Sequence, residues 1–109
     1  MKTYNIDGMT RGWFVGEFNP TAFRTEGCEA AYKVYKAGDE EPKHYHKIAT
    51  EVTLIAQGEV EMNGKVFVAG DIIVVLPNEE VKFKAITDAV NVVIKIPGAN
   101  DDKYLSEEE

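Results

Sequence analysis

Short runs of β-branched and aromatic residues, separated by turn residues, dominate the hydrophobic pattern of this 109-residue chain. Within several runs, apolar and polar positions alternate with a period of two, as in a strand that buries one face. A helical period does not extend over any useful length. The strands predicted from these runs are 29–38, 51–58, 59–62, 65–70, 71–76, 81–86 and 90–97. Strands at 8–12-residue spacing without a long helix predict an all-β sandwich or barrel.

One connection between strands is predicted in detail. Asn63 and Gly64 separate the runs 59–62 and 65–70. This dipeptide supplies the two positive φ angles that a two-residue type I′ turn requires, so the two runs are predicted to form a hairpin. The continuous apolar run 71–76 that follows is typical of a buried strand.

The first 27 residues are harder to assign. Trp13, Phe14 and Phe18 lie close together in 12–20, and 21–25 has the composition of a short strand. Two interpretations stay open: the segment covers one end of the barrel core, or it is an arm exchanged between subunits that buries its aromatic rings on a partner. The predicted organisation is an N-terminal segment 1–27, a barrel 28–98 and an acidic tail 99–109.

Composition and charge exclude several classes of protein. The longest apolar run, Ile72 to Leu76, is far shorter than the ~20 residues of a membrane span. The first residues lack the apolar stretch of a secretion signal, so a cytoplasmic location is expected. The formal charge is −7, but 100–109 hold five acids and one lysine, and the rest holds 11 basic and 14 acidic residues. Neither nucleic acid nor a membrane is therefore an expected partner.

Two further features have ordinary interpretations. Cys28 is the single cysteine, so no internal disulfide forms, and without a basic sequence neighbour it is expected to be structural. The acidic tail is expected to be a solvated, frayed terminus. The alternative is a docking role for Tyr104 and Leu105 within it.

Candidate chemistry is concentrated in the sequence HYHKIATE, residues 44–51. His44 and His46 project from the same face of an extended chain, and Glu51 begins the next strand. Two neutral imidazoles and one carboxylate suit a divalent cation: Fe(II), Mn(II), Ni(II), Co(II) or Zn(II). In the alternative, a metal-free barrel satisfies these side chains by a histidine–glutamate hydrogen bond.

The spacing around these residues resembles the first sequence motif of the cupin superfamily. It runs Gly38, five residues, His44, one residue, His46, four residues, Glu51, six residues and Gly58. The resemblance covers about 29–97. It implies a small RmlC-like double-stranded β-helix or jelly-roll barrel, with the metal ligands and a small-molecule site inside its mouth.

The second cupin motif departs from the family pattern. Counted without a gap from Gly70, it places Leu76 at the family's proline, Asn78 at its second glycine and Val81 at its final histidine. Asn tolerates the left-handed conformation that this glycine position needs. A shift by one residue places Lys82 at the histidine instead, so neither register supplies a fourth ligand.

Strand parity predicts the residues around the site. The ungapped register turns Val81 and Phe83 inward, and Thr53 and Ile55 share the face of Glu51, so these four are predicted to line the pocket. Parity does not decide which pair of Tyr32, Lys33, Tyr35 and Lys36 enters it. The opposite face of the Glu51 strand carries an apolar row, Val52, Leu54 and Ala56. Such a row predicts burial against another element or a second subunit, and the resemblance implies a homodimer.

Three functions are compatible with these residues. The first is a metal-dependent enzyme that acts on a small metabolite or sugar, with the cation as a Lewis acid or a site for O₂. The second is a non-catalytic module that binds or senses a small molecule without metal. The third is a metal-free epimerase-like or isomerase-like activity on a nucleotide sugar, which rests on analogy of fold alone.

Overall fold

The computed structural model describes residues 1–107, which form ten strands and one short 3₁₀ helix, Ile6–Gly8. No helix in this described part is long and apolar enough to cross a membrane. The strands are β1 (Trp13–Val15), β2 (Glu29–Tyr35), β3 (Glu40–His46), β4 (Thr50–Gln57), β5 (Glu59–Met62), β6 (Lys65–Val68), β7 (Ile72–Val75), β8 (Val81–Ala85), β9 (Ala89–Ile96) and β10 (Lys103–Leu105).

The strands form two five-stranded sheets. The first sheet has the order β1-β2-β9-β4-β7, and the second has the order β10-β3-β8-β5-β6. All named pairings are antiparallel. Neighbouring strands in each sheet are mostly distant in the chain, because the chain passes back and forth between the two sheets. The prediction of an all-β barrel is confirmed.

Alternate residues of the facing strands build the core between the sheets. On β8, Val81, Phe83 and Ala85 are buried while Lys82 and Lys84 are exposed, which is the period expected of a strand with one buried face. The buried cluster consists of Ile55, Val60, Met62, Val75, Val81, Phe83, Ala85 and Ala89. The ungapped register of the second motif is the one whose inward residues form this cluster.

Backbone angles agree with the turn chemistry of the sequence. Asn63 and Gly64 have φ of +52° and +80°, and they join β5 to β6 as the hairpin prediction required. Asn78 has φ of +70°, so this asparagine does adopt the conformation for which cupins use glycine.

The continuous apolar run 71–76 is not the buried strand that its composition predicted. β7 is the edge strand of the first sheet, and Ile72, Val74 and Leu76 are exposed on the outer side.

Two terminal segments also differ from the prediction. The run 21–25 forms no strand; Phe23 makes only an isolated bridge to Val15. The tail is ordered in part, because β10 pairs with β3 and Asp102 is buried. A strand of three residues is too short to show a hydrophobic period, so its pairing depends on the edge of another strand that the sequence pattern does not reveal. Residues 108 and 109 of the predicted tail lie outside the described residues.

Candidate functional site

A cavity of about 70 Å³ lies between the two sheets, beside the apolar core. All three predicted metal ligands border it. Its lining consists of Trp13, Lys33, Tyr35, Glu41, His44, His46, Glu51, Thr53, Met62, Val81, Phe83, Asn91, Val93, Lys95 and Lys103. An apolar floor therefore meets a polar wall that contains two imidazoles, three ammonium groups and two carboxylates.

The two histidines enter the cavity from β3, as their spacing predicted. Both are buried, and their ring centroids are 5.5 Å apart. Nδ1 of His44 lies 2.9 Å from the carbonyl oxygen of Pro42, and Nδ1 of His46 lies 2.8 Å from that of Asp102. A carbonyl oxygen can only accept, so Nδ1 donates in both rings and a neutral ring keeps its lone pair on Nε2. Fixing Nδ1 on a backbone carbonyl is how proteins commonly orient a metal-binding imidazole.

Glu51 reaches the same point from the first residues of β4. One carboxylate oxygen lies 3.6 Å from Nε2 of His46, and among the described residues this buried nitrogen has no hydrogen-bond partner. A neutral His46 and an ionised Glu51 therefore present two acceptors to each other. A cation placed between them, whether a proton or a metal ion, relieves that opposition.

Burial and mutual contact set the protonation of these groups. Burial lowers the pKa of His44, and the carbonyl of Pro42 only partly offsets this effect, so the ring is neutral at pH 7. Burial alone would raise the pKa of Glu51, but the adjacent ring of His46 outweighs that effect and lowers the pKa below its ordinary value. Glu51 is therefore a carboxylate at neutral pH.

The three donor side chains have the chemistry of a divalent-metal site, but they are spaced more widely than the ligands of a bound ion. Two neutral imidazoles and a carboxylate are ligands that first-row metals accept, and the orphaned Nε2 of His46 fits a cation. Yet within residues 1–107 no three His, Cys, Asp or Glu side chains are grouped closely enough to hold a metal ion. The structure provides the donor atoms and orients them, and the three side chains would have to move closer together to bind an ion.

A charged row crosses the first sheet next to Glu51. Glu29, Lys95 and Glu51 are directly cross-strand neighbours on β2, β9 and β4. Nζ of Lys95 lies 3.1 Å from a carboxylate oxygen of Glu29, and both side chains are buried. The ring of Trp13 covers this pair, with Nζ of Lys95 at 5.2 Å from the ring centroid. Lys95 thus lines the cavity, but Glu29 neutralises its charge.

The parity left open for β2 is decided by the structure. Lys33 and Tyr35 line the cavity, whereas Tyr32 and Lys36 are exposed on the outside. The Tyr35 hydroxyl donates to a carboxylate oxygen of Glu41 at 3.3 Å. Burial, and next the charge of Glu41, raise the pKa of Tyr35, so the phenol keeps its proton. The pair places a second acid–base group, Glu41, beside the histidines, and sequence reasoning did not identify it.

The predicted pocket-lining residues divide between cavity and core. Thr53, Val81 and Phe83 line the cavity. Ile55 is fully buried in the core cluster and is not among the lining residues. Val81 is directly opposite His44 in the pairing of β3 with β8. An apolar isopropyl group thus stands at the place where the family motif carries its final histidine.

Asp102 supports the site from the C-terminal segment. Its carboxylate accepts hydrogen bonds from the backbone N–H groups of Lys47 (3.0 Å), Ile48 (3.1 and 3.2 Å) and Ala49 (2.9 Å). Its own carbonyl holds Nδ1 of His46. Burial would raise the pKa of this carboxyl, but the three N–H groups lower it. The residues it meets are 53 to 56 positions away in the chain, so no local signal identifies it.

Several solved structures share this architecture. An uncharacterised conserved protein with a double-stranded β-helix domain from Klebsiella pneumoniae is 23% identical, with a TM-score of 0.70 over 77% of this chain and 74% of that one. An RmlC-like cupin from Shewanella frigidimarina is 26% identical, with a TM-score of 0.65 over 72% of each chain. The DMSP lyase DddQ from Ruegeria pomeroyi is 19% identical, with a TM-score of 0.73 over 89% of this chain and 52% of that one.

These likenesses establish the fold. The chain has the double-stranded β-helix of the cupin superfamily, and the resemblance carried by the first motif is confirmed. No family model matches the sequence, and no curated protein sequence matches it. Because one fold hosts many activities, function has to be argued from the site.

Proposed function

We propose that this chain is a metal-binding cupin that acts on a small organic metabolite, with His44, His46 and Glu51 as the protein ligands. The observation that carries the proposal is the buried Nε2 of His46, which lacks a hydrogen-bond partner among the described residues and faces an ionised carboxylate at 3.6 Å. A buried acceptor without a donor costs roughly 1–3 kcal/mol. A divalent cation offsets this cost for both groups at once.

The residues around the ligands support chemistry on a bound molecule. A divalent ion held there would act as a Lewis acid and polarise an oxygen of that molecule. Glu41 provides a carboxylate that accepts or returns a proton, and the hydroxyl of Tyr35 orients it at 3.3 Å. Val81 and Phe83 exclude water from one side of the cavity. The set suits proton transfer next to a polarised oxygen.

A second candidate is a metal-free module that binds or senses a small molecule. It is favoured by the spacing of the three donors, which in residues 1–107 is not that of a closed metal site. In this form a protonated His46 would pair with Glu51, and the cation between the two acceptors would be a proton. The two candidates predict different occupants of the same point.

Metal titration separates the candidates. Protein purified without an immobilised-nickel step is treated with EDTA, dialysed and titrated with Mn(II), Fe(II) and Zn(II) by calorimetry. One ion per chain should bind. His46→Ala should weaken binding at least about tenfold, because the loss of a residue that only supports a metal ligand already costs about that much. Tyr45→Phe is the matched control, because Tyr45 lies between the histidines but stacks outward on Tyr104.

Nitrogen NMR of the histidine rings gives a readout that does not require activity. The chain has two histidines, so the spectrum holds two ring systems. Metal-free protein at pH 7 should show His44 with a proton on Nδ1 and none on Nε2, and metal should shift the Nε2 signals of both rings. Absence of ion binding in the wild type, or equal binding by His46→Ala, would overturn the metal proposal in favour of the second candidate.

We also propose that two copies of the chain pair through the outer side of the first sheet. Its outward side chains are almost all apolar and form what we term the outer apolar face: Tyr32, Val34, Val52, Leu54, Ile72, Val74, Val92, Ile94 and Ile96. The four strands involved span roughly 19 Å by 26 Å, or ~500 Å². A patch of that size marks an interaction surface, and it is large enough for the centre of a dimer interface of about 800 Å² per partner.

Charge favours a second copy as the partner. The outward positions of these four strands carry no charged residue, so a twofold axis through the face opposes no like charges. The second sheet differs: Glu40, Lys84 and Glu61 follow one another across its outer side. Only the first sheet therefore presents a self-compatible surface.

The oligomeric state tests this pairing. Ile72 is 66% exposed on the outer apolar face, and Ile72→Glu should convert a dimer into a monomer in analytical ultracentrifugation. Val66→Glu is the matched control, because Val66 is 58% exposed on the outer side of the second sheet. A wild-type monomer at micromolar concentration, or a dimer that survives Ile72→Glu, would contradict the proposal.

A further inference from the structure

Three lysines converge on the mouth of the cavity, although the chain as a whole is acidic. Lys95 is neutralised by Glu29 at 3.1 Å. Lys33 is half-buried, and among residues 1–107 it makes no ion pair with a carboxylate. Lys103, from β10, lines the same mouth. A partly desolvated ammonium group without a paired anion is costly unless something outside the chain supplies the anion.

The electrostatic surroundings of Lys33 point the same way. Burial lowers its pKa; the charge of Glu41 acts against this, while the charges of Lys103 and Arg11 add to it. The charges of Lys103 and Arg11 therefore repel that of Lys33, and the carboxylates of Glu41 and Glu51 compensate only in part. An anion bound between Lys33 and Lys103 would relieve the repulsion of these two lysines.

Trp13 forms the side of this anion site. Nζ of Lys33 lies 5.3 Å from the ring centroid, and Nζ of Lys95 lies 5.2 Å from it. Phe18 packs edge-on against the ring at 6.5 Å between centroids. Phe18 thus holds the indole in place as an apolar surface. The carbon skeleton of a ligand can pack on this surface while its charged end lies among the ammonium groups.

Asn91 supplies an independent sign of a missing ligand. It lies directly opposite Lys33 in the pairing of β2 with β9 and lines the cavity. It is 2% exposed, and its amide oxygen has no hydrogen-bond partner among the described residues. A ligand hydroxyl could donate to that oxygen, or the amide could turn and donate its NH₂ to a ligand oxygen.

We propose that the site takes a small carboxylic acid, whose carboxylate is bound by Lys33 and Lys103 beside Trp13 and whose other end faces His44 and His46. The position of the acid's other end rests on the proposed function, whereas Lys33 and Lys103 are independent of the metal ligands. A cavity of about 70 Å³ has room for roughly five to seven water-sized groups, which suits an acid of a few carbon atoms.

The charge balance favours a carboxylate over a phosphate. Glu41 and Glu51 also line the cavity, so a second negative charge on the ligand would oppose them at close range. A singly charged carboxylate gains the attraction of Lys33 and Lys103 with less of that opposition.

Fluorescence of the single tryptophan measures this binding directly, because Trp13 forms the wall of the site. EDTA-treated protein is titrated with lactate, with lactamide as its neutral isostere, and with inorganic phosphate. Lactate should change the emission saturably and lactamide should not, and phosphate should bind more weakly than lactate. Rising salt should weaken lactate binding, since it depends on charge.

Two variants and a control locate the anion site. Lys33→Gln should weaken lactate binding at least about tenfold, which is the range expected for a charge-assisted contact. Lys103→Gln should weaken it less, because Lys103 is exposed. Lys36→Gln is the matched control on the outer side of the same chain segment and should bind like the wild type.

The outcomes separate this inference from the metal proposal. Equal binding of lactate and lactamide, equal binding by wild type and Lys33→Gln, or tighter binding of phosphate than of lactate would each overturn the carboxylate site. The lactate titration uses EDTA-treated wild-type protein, so its result does not depend on whether the chain binds a metal ion. If the metal proposal fails, lactate binding that depends on Lys33 would still stand.

Discussion

Replacing Asp102 by alanine tests how the C-terminal segment supports the site. The Asp102 side chain is 2% exposed, and its carboxylate is the acceptor for three consecutive backbone N–H groups, at Lys47, Ile48 and Ala49. These residues form the turn between β3 and β4, which carries His46 at one end and leads to Glu51 at the other. Alanine removes every one of these acceptors and introduces no clash.

The loss of stability can be worked from the three hydrogen bonds. The N–H of Ala49 is buried, so leaving it without an acceptor costs about 1–3 kcal/mol. The N–H groups of Lys47 and Ile48 are only part-buried and regain water, which reduces each loss to about 0.5–1.5 kcal/mol. The free energy of unfolding should therefore fall by about 2–6 kcal/mol, a large fraction of the roughly 5–15 kcal/mol of an ordinary domain.

The effect of pH follows from the lowered pKa of Asp102. Burial opposes ionisation, but the N–H groups of Ala49, Ile48 and Lys47 outweigh it and hold the pKa below the ordinary value. A lowered pKa in the folded state adds stability above the unfolded pKa, roughly pH 4, and this stability is lost as pH falls through the folded pKa. The difference between wild type and Asp102→Ala should therefore be largest at neutral pH and shrink in acid.

Urea denaturation followed by Trp13 fluorescence measures both effects, at one fixed protein concentration because a dimer makes stability depend on concentration. Asp101→Asn is the matched control: Asp101 is exposed with φ of +60°, which asparagine tolerates. A loss below about 1 kcal/mol for Asp102→Ala, on the scale of one ordinary hydrogen bond, would refute the reasoning. So would a loss of the same size for Asp101→Asn, or a difference that does not diminish below pH 4.

Two further predictions concern the site and the turns. Val81→His places an imidazole opposite His44, at the position where the family motif has its final histidine, so metal affinity in calorimetry should rise about tenfold or more; Val81→Leu should not raise it, and equal affinities of the two variants would contradict the ligand geometry. Gly58→Ala should destabilise the protein more than Gly38→Ala in thermal unfolding. Both residues have positive φ (+85° and +92°), but a Cβ at Gly58 would lie 2.2 Å from the backbone oxygen of Asp88, whereas nothing lies within 4 Å of one at Gly38. The two losses of unfolding free energy should differ by about 1–3 kcal/mol. Equal losses would show that the backbone near Asp88 shifts to make room for the Cβ.

Local pattern was sufficient for most of the fold. The alternation of β8 correctly predicted which of its side chains are buried, and the Asn63–Gly64 turn followed from the backbone angles that a short hairpin needs. The placement of His44 and His46 on one face, with Glu51 across the turn, also came from spacing alone. These features depend on periods of two and on turns of a few residues, which neighbouring residues encode.

The limits of prediction appear where distant segments meet. β10 has neither length nor hydrophobic alternation, and its strand conformation depends on the open edge of β3. Lys33 and Tyr35 could not be distinguished from their outward neighbours by parity until the pairing of β2 with β9 was known. Lys95 was predicted as part of a strand, but its burial against Glu29 and under Trp13 depends on three separate elements.

The sequence by itself determined the all-β class, the register of the second motif and the trio of candidate ligands. The lysines at the mouth, the Tyr35–Glu41 pair and the support from Asp102 became visible only in the tertiary structure. The physical reason is the range of the interactions. Periodicity assigns a side chain to a face of its own strand, but the charge, burial and hydrogen bonding that it meets depend on which remote strand becomes its neighbour.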